Sequence, residues 1–88
     1  MREFEIKPLL NKKLIKLFKK DRQIYEQLFK KIKEIINSTD VEHYKNLCYD
    51  MKESKRVHIG HFVLVFSFDK SMDRISFEDF DHHDNIYL

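Results

Sequence analysis

The sequence predicts an α+β fold in which a small antiparallel β-sheet is covered on one face by an N-terminal helical hairpin. The first half of the chain repeats apolar residues at helical spacing, whereas the second half alternates or runs apolar as strands do. The resulting element order is β-α-α-β-β-β, in two layers around one core. We expect residues 1–88 to form a single domain, since domains usually hold roughly 50–250 residues.

The first half begins with a short strand and continues as two helices. Residues 2–6, REFEI, alternate polar and apolar side chains, and Pro8 suits the first turn of a helix, where its missing N–H has no partner. Asp21 is a candidate N-cap between the helices. Residues 37–40, NSTD, favour turns and end the second helix. The apolar residues at helical spacing are Leu10, Leu14 and Leu17, then Tyr25, Leu28, Ile32 and Ile35.

From Arg56 onward the pattern becomes that of strands. Gly60, the only glycine, permits a positive φ or a bulge where the chain turns. The long strand that follows is apolar on both faces, which predicts an inner position in the sheet. Between residues 41 and 54 the pattern is less regular, and we expect Leu47 and Met51 to anchor this segment to the core. The strand segments are RVHIG (56–60), HFVLVFSFD (61–69) and RISFEDF (74–80), with DKSMD (69–73) as a hairpin loop.

The composition excludes several classes of protein. A single cysteine, Cys48, rules out an internal disulfide and a cysteine-based zinc cluster, and we expect it to be a small buried residue in a reducing cytoplasm. No apolar run approaches the roughly 20 residues that span a bilayer. Residues 1–7, MREFEIK, lack the hydrophobic segment of a signal peptide. We therefore expect a cytoplasmic protein with no membrane partner.

Positive charge is concentrated in the helical half. Between Lys7 and Lys33, ten basic residues face two acids, a net charge of +8 that favours contact with polyanions. A solvated lysine face on the helices would explain the same pattern without a ligand. The candidate contacts for a polyanion such as RNA are Lys12, Lys13, Lys16, Lys19, Lys20 and Lys55.

The closing residues 80–88, FDHHDNIYL, place two histidines and a tyrosine within six positions. A metal site, a catalytic end and a contact for a partner are all compatible with these side chains. The stretch from Asp81 to Asp84 contains hard and borderline metal ligands. However, adjacent side chains rarely converge on one ion and no HxxxH spacing is present, so we expect no metal here. Both aspartates would repel a phosphate.

Residues 56–66, RVHIGHFVLVF, have the form Arg-x-x-x-Gly-x-Phe-x-x-x-Phe, and residues 82–87, HHDNIY, have the form His-x-x-x-x-Tyr. These two motifs resemble those of the RelE family, the toxins of type II toxin–antitoxin pairs. Leu47 also lies where the family places a leucine. The resemblance covers essentially the whole chain, and its specificity lies in the order and spacing of short motifs. It implies a small antiparallel sheet with two N-terminal helices.

The resemblance also implies an activity, a ribosome-dependent mRNA endonuclease (mRNA interferase) that works in the ribosomal A site without a metal or other cofactor. In this family the 2′-hydroxyl of the mRNA attacks the adjacent phosphate and leaves a cyclic phosphate end. Such a reaction needs proton transfer at two oxygens and cations around the phosphorane. The implied partners are a cognate antitoxin that wraps the toxin, the ribosome with its mRNA, and operator DNA through the antitoxin complex.

The resemblance implies four catalytic residues. Arg56 and His58 match the family's basic pair on the first strand of the ribbon, and residues two apart on a strand face the same side. His83 matches a basic position, commonly arginine, and Tyr87 matches the terminal tyrosine. Active members usually carry arginine where this chain has Val63. Two alternatives therefore stay open, a RelE-fold partner-binding protein with weak or lost nuclease activity, and a general RNA- or DNA-binding domain.

Overall fold

The computed structural model describes residues 2–41, 44 and 54–86. Its first six elements follow the predicted order, and a short C-terminal helix that the sequence did not predict follows them. They are β1 (Glu3–Ile6), α1 (Pro8–Lys20), α2 (Arg22–Ile36), β2 (Ser54–Ile59), β3 (Phe62–Asp69), β4 (Arg74–His82) and α3 (His83–Ile86). The predictions for Leu47, Cys48, Met51 and Tyr87 lie outside the described residues. None of the described helices has the length and apolarity needed to cross a membrane.

The two long helices form where the sequence predicts them because their end signals agree with their apolar periodicity. Pro8 is the first residue of α1, and the Asp21 side chain caps α2 by accepting a hydrogen bond from the backbone N–H of Ile24 at 3.2 Å. One stripe of each helix is buried and most lysines face outward. The buried residues are Leu10, Leu14, Leu28, Ile32, Ile35 and Ile36.

Removing this cap should destabilise the protein measurably. Because the Asp21 carboxylate satisfies a backbone donor at the start of α2, we expect Asp21→Ala to lower the free energy of unfolding by about 1 kcal/mol. Urea denaturation followed by circular dichroism measures the change. Asp21→Asn is the matched control, since asparagine also caps helices. Equal stability of these two variants would contradict the capping role.

The four strands form one sheet in the order β1-β4-β3-β2. The last three are the predicted antiparallel meander, and β3 lies between its two neighbours, as its apolar residues on both faces predict. Gly60 opens the two-residue turn between β2 and β3 with a φ of 62°, which confirms the predicted positive φ. Asp73 ends the loop between β3 and β4 with a φ of 50°.

The α+β class is confirmed, with one correction: the sheet is mixed rather than wholly antiparallel. β1 runs parallel to β4, with Glu3 opposite Arg74 and Ile6 opposite Phe77. Parallel neighbours need a long connection, and the chain between β1 and β4 supplies it. An alternating pattern of four residues carries no information on the direction of its neighbour, so the sequence did not reveal this pairing.

A β-bulge in β4 decides which of its side chains face the helices. Val65 pairs with Asp79, whereas the next residue, Phe66, pairs with Phe77, so Glu78 is an extra residue in β4. The core-facing positions therefore shift by one across the bulge. The buried side chains of β4 are Ile75, Phe77 and Phe80. The acidic side chains that follow the bulge, Asp79 and Asp81, therefore alternate with Phe80 and point away from the core, where Lys13 of α1 reaches them.

The core lies between the helical hairpin and one face of the sheet. Val57 and Ile59 of β2 contact this core. The intervening residues Arg56 and His58 therefore share the face that points away from the helices. The largest fully buried side chains of the core are Phe66, Phe77, Leu10, Leu28, Ile35, Leu64 and Ile75.

Candidate functional site

Two histidines from distant parts of the sequence meet on the sheet face that points away from the helices. The rings of His58 and His83 stack with their centroids 5.6 Å apart and their planes at 26°. β2 carries the first, and the second begins α3 directly after β4. The backbone N–H of His83 donates a hydrogen bond to the carbonyl oxygen of His61 at 2.8 Å. This bond fixes the start of α3 at the β2–β3 turn, and both imidazoles are exposed.

Arg56 adds a permanent cation to the face that carries this histidine pair. It lies two residues before His58, and the two residues pair with Val65 and Val63 of β3. Val63 is fully buried, so its position contributes packing rather than charge. Imidazoles exchange protons near neutral pH, whereas a guanidinium stays charged. The face thus combines two proton-transfer groups with a group that can neutralise a phosphate.

Asp84, one of the aspartates expected to repel phosphate, lies close to the histidines but is exposed. Its carboxylate oxygens lie 3.6 Å from Nδ1 of His83 and 3.7 Å from Nδ1 of His82, beyond hydrogen-bond length. The side chain is 84% exposed. Water therefore screens its charge, and its effect on a bound phosphate is small.

Asp81, the other aspartate, is held in a hydrogen-bond network within the fold. Its Oδ1 accepts hydrogen bonds from the Asn85 amide at 3.0 Å and from the backbone N–H of His82 at 2.7 Å, and its Oδ2 accepts from Lys13 Nζ at 2.9 Å. The bonds from Asn85 and Lys13 lower the pKa of Asp81 from 3.8 to about 2. Asp81 therefore connects α1, the end of β4 and α3, and it helps to position the helix that carries His83.

Lys13 is part of the same network. Its Nζ also donates to Asp79 at 2.6 Å. Burial lowers the pKa of this amino group, but the hydrogen bonds to Asp79 and Asp81 outweigh it and leave the pKa raised. The amino group of Lys13, predicted to contact RNA, is thus engaged within the fold. Lys55 similarly donates to the carbonyl oxygen of Tyr44 at 3.3 Å. The exposed members of the predicted set are Lys12, Lys16, Lys19 and Lys20.

The Asp81 network should make stability depend on pH in acid. A carboxyl group with a lowered folded-state pKa stabilises the fold above its unfolded value, and this stabilisation is lost as the pH falls through the folded value. We therefore expect Asp81→Asn to be less stable than the wild type at pH 6, and the difference to vanish as the pH falls from about 4 to about 2. The midpoints of urea denaturation across this pH range measure the stability difference. Asp84→Asn is the control, because the Asp84 side chain is exposed. A pH-independent difference would contradict the charge-based role.

A cleft of about 380 Å³ lies on the helix side of the sheet, at the end that carries the histidine pair. Lys16 and Lys20 of α1 form one wall, and Phe62 and Phe80 form the floor with rings stacked 5.1 Å apart. Phe80 is buried in the core, so the exposed lysines rather than the rings are the groups of this cleft that could contact a polyanion. The α1 lysines and the histidine pair thus lie on opposite faces of one end of the sheet.

Sequence reasoning found His58 and His83 separately but missed the Asp81 network. The sequence signal that could have revealed this network was the four-residue spacing from Asp81 to Asn85 across the end of a strand. Tyr87 lies outside the described residues, and its role stays a prediction. Within residues 2–41, 44 and 54–86, no three His, Cys, Asp or Glu side chains are grouped so that they could hold a metal ion.

Comparisons with known proteins connect this fold to toxins. A protein of Methanocaldococcus jannaschii named "Putative toxin RelE4" is 48% identical over 88 residues, covering 99% of this chain and 92% of that protein. An uncharacterised protein of Methanosarcina mazei is 44% identical over 94% of this chain and 95% of its own length. No protein-family model matches the chain.

The crystal structure of the isolated E. coli RelE toxin matches the fold. The TM-score is 0.75, with 93% of this chain and 84% of that chain covered, at 18% sequence identity. The helical hairpin on one face of a four-stranded sheet is therefore the fold of that toxin. Because the Methanocaldococcus relative matches at 48% identity over nearly its full length, the chain belongs to the RelE family of toxins.

Proposed function

We propose that the protein is the toxin of a type II toxin–antitoxin pair and cleaves mRNA on the ribosome. The observation that carries this proposal is the stacked pair of His58 and His83, which shares the outer sheet face with Arg56. In this function the protein works in the cytoplasm with ribosomes and mRNA as partners. A cognate antitoxin neutralises it, and the pair binds operator DNA.

The proposed chemistry uses the 2′-hydroxyl of the mRNA as nucleophile. One imidazole of the histidine pair accepts the 2′-hydroxyl proton while the 2′-oxygen bonds to the adjacent phosphorus. The bond from phosphorus to the 5′-oxygen breaks, and the other imidazole donates a proton to that oxygen. The products are a 2′,3′-cyclic phosphate and a 5′-hydroxyl. Arg56 stabilises the additional negative charge of the phosphorane.

Exposed charge on α1 supports the contact with ribosomal RNA. The side chains of Lys12, Lys16, Lys19 and Lys20 are exposed, and two of them border the cleft that has Phe62 in its floor. Neutralising phosphates with lysine releases condensed counterions, which favours binding. Lys13 is not counted among these contacts, because its amino group is already bonded to Asp79 and Asp81.

The buried side chain of Val63 favours a second candidate function. A RelE-fold protein with no cation at this position would still bind its antitoxin but would cut weakly or not at all. The test supplies purified protein to translating ribosomes with a defined mRNA and maps cut sites by primer extension. Cuts in the A-site codon support the nuclease. Absence of cuts, with retained binding to the product of an adjacent small acidic reading frame, supports the partner-binding protein.

A further inference from the structure

A polar cleft of about 300 Å³ opens between α2 and the β2–β3 turn, and His58 lines it. Its sheet wall includes Gly60. Its other wall is one stripe of α2, at spacings of three and four residues, formed by Gln27, Lys30, Lys31 and Glu34. The cleft therefore shares His58 with the histidine pair at the β2 edge of the sheet, and it is separate from the lysine surface of α1.

The two lysines of this cleft differ in their contacts. The amino group of Lys31 lies 3.2 Å from the carboxylate of Glu34, and its side chain is 28% exposed. Lys30 is exposed. Among the residues that the structure describes, no carboxylate lies in ion-pair range of the Lys30 amino group. Lys31 thus offsets Glu34, and Lys30 gives the cleft its net positive charge.

The sheet wall of the cleft is open at Gly60. A Cβ atom built at this residue would meet no atom within 4 Å, so the wall has unfilled space beside the backbone. The positive φ of 62° keeps most other residues out of this position. A bulky, flexible chain can therefore approach the backbone closely beside His58.

We propose that this cleft binds the phosphate next to the one processed at His58 and His83, with Lys30 as its cation. The ligand class is the phosphodiester backbone of single-stranded RNA, and the inference rests on the function proposed above. An RNA strand whose reacting phosphate lies at the histidine pair carries a further phosphate on each side. One of these sides is the cleft that His58 itself lines.

The test compares Lys30→Ala and Lys30→Glu with Lys33→Ala. Lys33 is an exposed lysine of the same helix that does not line the cleft, so the control removes an equal charge. The probe is a short single-stranded RNA in which 2′-deoxy nucleotides prevent cleavage. Fluorescence anisotropy gives its affinity at several salt concentrations. We expect Lys30→Ala to weaken RNA binding roughly two- to tenfold. The slope of log affinity against log salt concentration should become less steep by about 0.7, and Lys30→Glu should bind more weakly than Lys30→Ala.

Equal affinity and equal salt slope in Lys30→Ala and Lys33→Ala would overturn the inference, as would lack of RNA binding by the wild type at low salt. The outcome is independent of cleavage. If the wild type does not cut mRNA but Lys30→Ala lowers the salt slope, the nuclease proposal fails and the phosphate subsite stands. If the wild type cuts and the two alanine variants bind alike, the subsite fails and the nuclease stands.

Discussion

Replacing His83 with alanine is expected to reduce mRNA cleavage on ribosomes by about 10²–10⁴-fold, the usual contribution of a general acid or base. The imidazole lies on the first residue of α3, stacked on His58 at 5.6 Å, and is exposed to an incoming strand. Single-turnover cleavage of a defined mRNA, measured from pH 5 to 9, gives the size of the loss. A general acid and a general base that act together predict a bell-shaped pH dependence for the wild type, and His83→Ala should lose one limb of it.

His61→Ala is the matched control for this prediction. The His61 ring stacks on His82 at 6.2 Å, and the His61 backbone carbonyl accepts the hydrogen bond from the backbone N–H of His83, which the alanine substitution retains. We expect this variant to cut within a few-fold of the wild type. Unfolding midpoints of both variants should match the wild type, because both side chains are exposed. Unchanged cutting by His83→Ala would remove this residue from the mechanism.

Replacing Phe66 with alanine is expected to lower the free energy of unfolding by about 3–5 kcal/mol. Its ring is fully buried in the core, where it contacts Phe77 with centroids 5.9 Å apart and Tyr44 at 5.6 Å. Small domains have only about 5–15 kcal/mol of stability, so a large part of it depends on this one side chain. Urea denaturation measures the loss.

Phe18→Ala is the control, because it removes the same phenyl ring from a position at the surface. This ring is on α1, is 43% exposed, and contacts Tyr25 and Arg22. We expect it to lower the free energy of unfolding by less than half as much as Phe66→Ala. Similar losses in the two variants would show that burial of Phe66 does not dominate the stability of the core.

Much of the fold could be predicted because its signals are local. Pro8, Asp21 and Gly60 act through their own backbone geometry, and the periods of the apolar residues separate helices from strands. The direction of β1 could not be predicted, since it depends on a partner strand far along the chain. The bulge in β4 was also hidden, because Phe77 and Phe80 reach the same face only through the extra residue Glu78.

The candidate site was predictable in part for the same reason. The two-residue spacing of Arg56 and His58 places them on one face of a strand, which needs no tertiary information. The contact of His83 with His58 depends on how α3, which follows β4, reaches across the end of β3 to β2. The ion pair of Asp81 with Lys13 depends on α1 lying beside β4, so the sequence around Asp81 indicated only a repulsive charge. Both contacts form only because segments that are far apart in the sequence lie close together in the folded protein.

The most direct test of the central claim asks whether cleavage uses the 2′-hydroxyl of the mRNA. Two mRNAs that differ by one 2′-deoxy nucleotide at the mapped cut site are supplied to ribosomes with the purified protein. The account predicts that the all-ribose mRNA is cut to a 2′,3′-cyclic phosphate and a 5′-hydroxyl, and that the deoxy mRNA stays intact at that site. Cutting of the deoxy mRNA there, or ends with a 3′-hydroxyl and a 5′-phosphate, would contradict it.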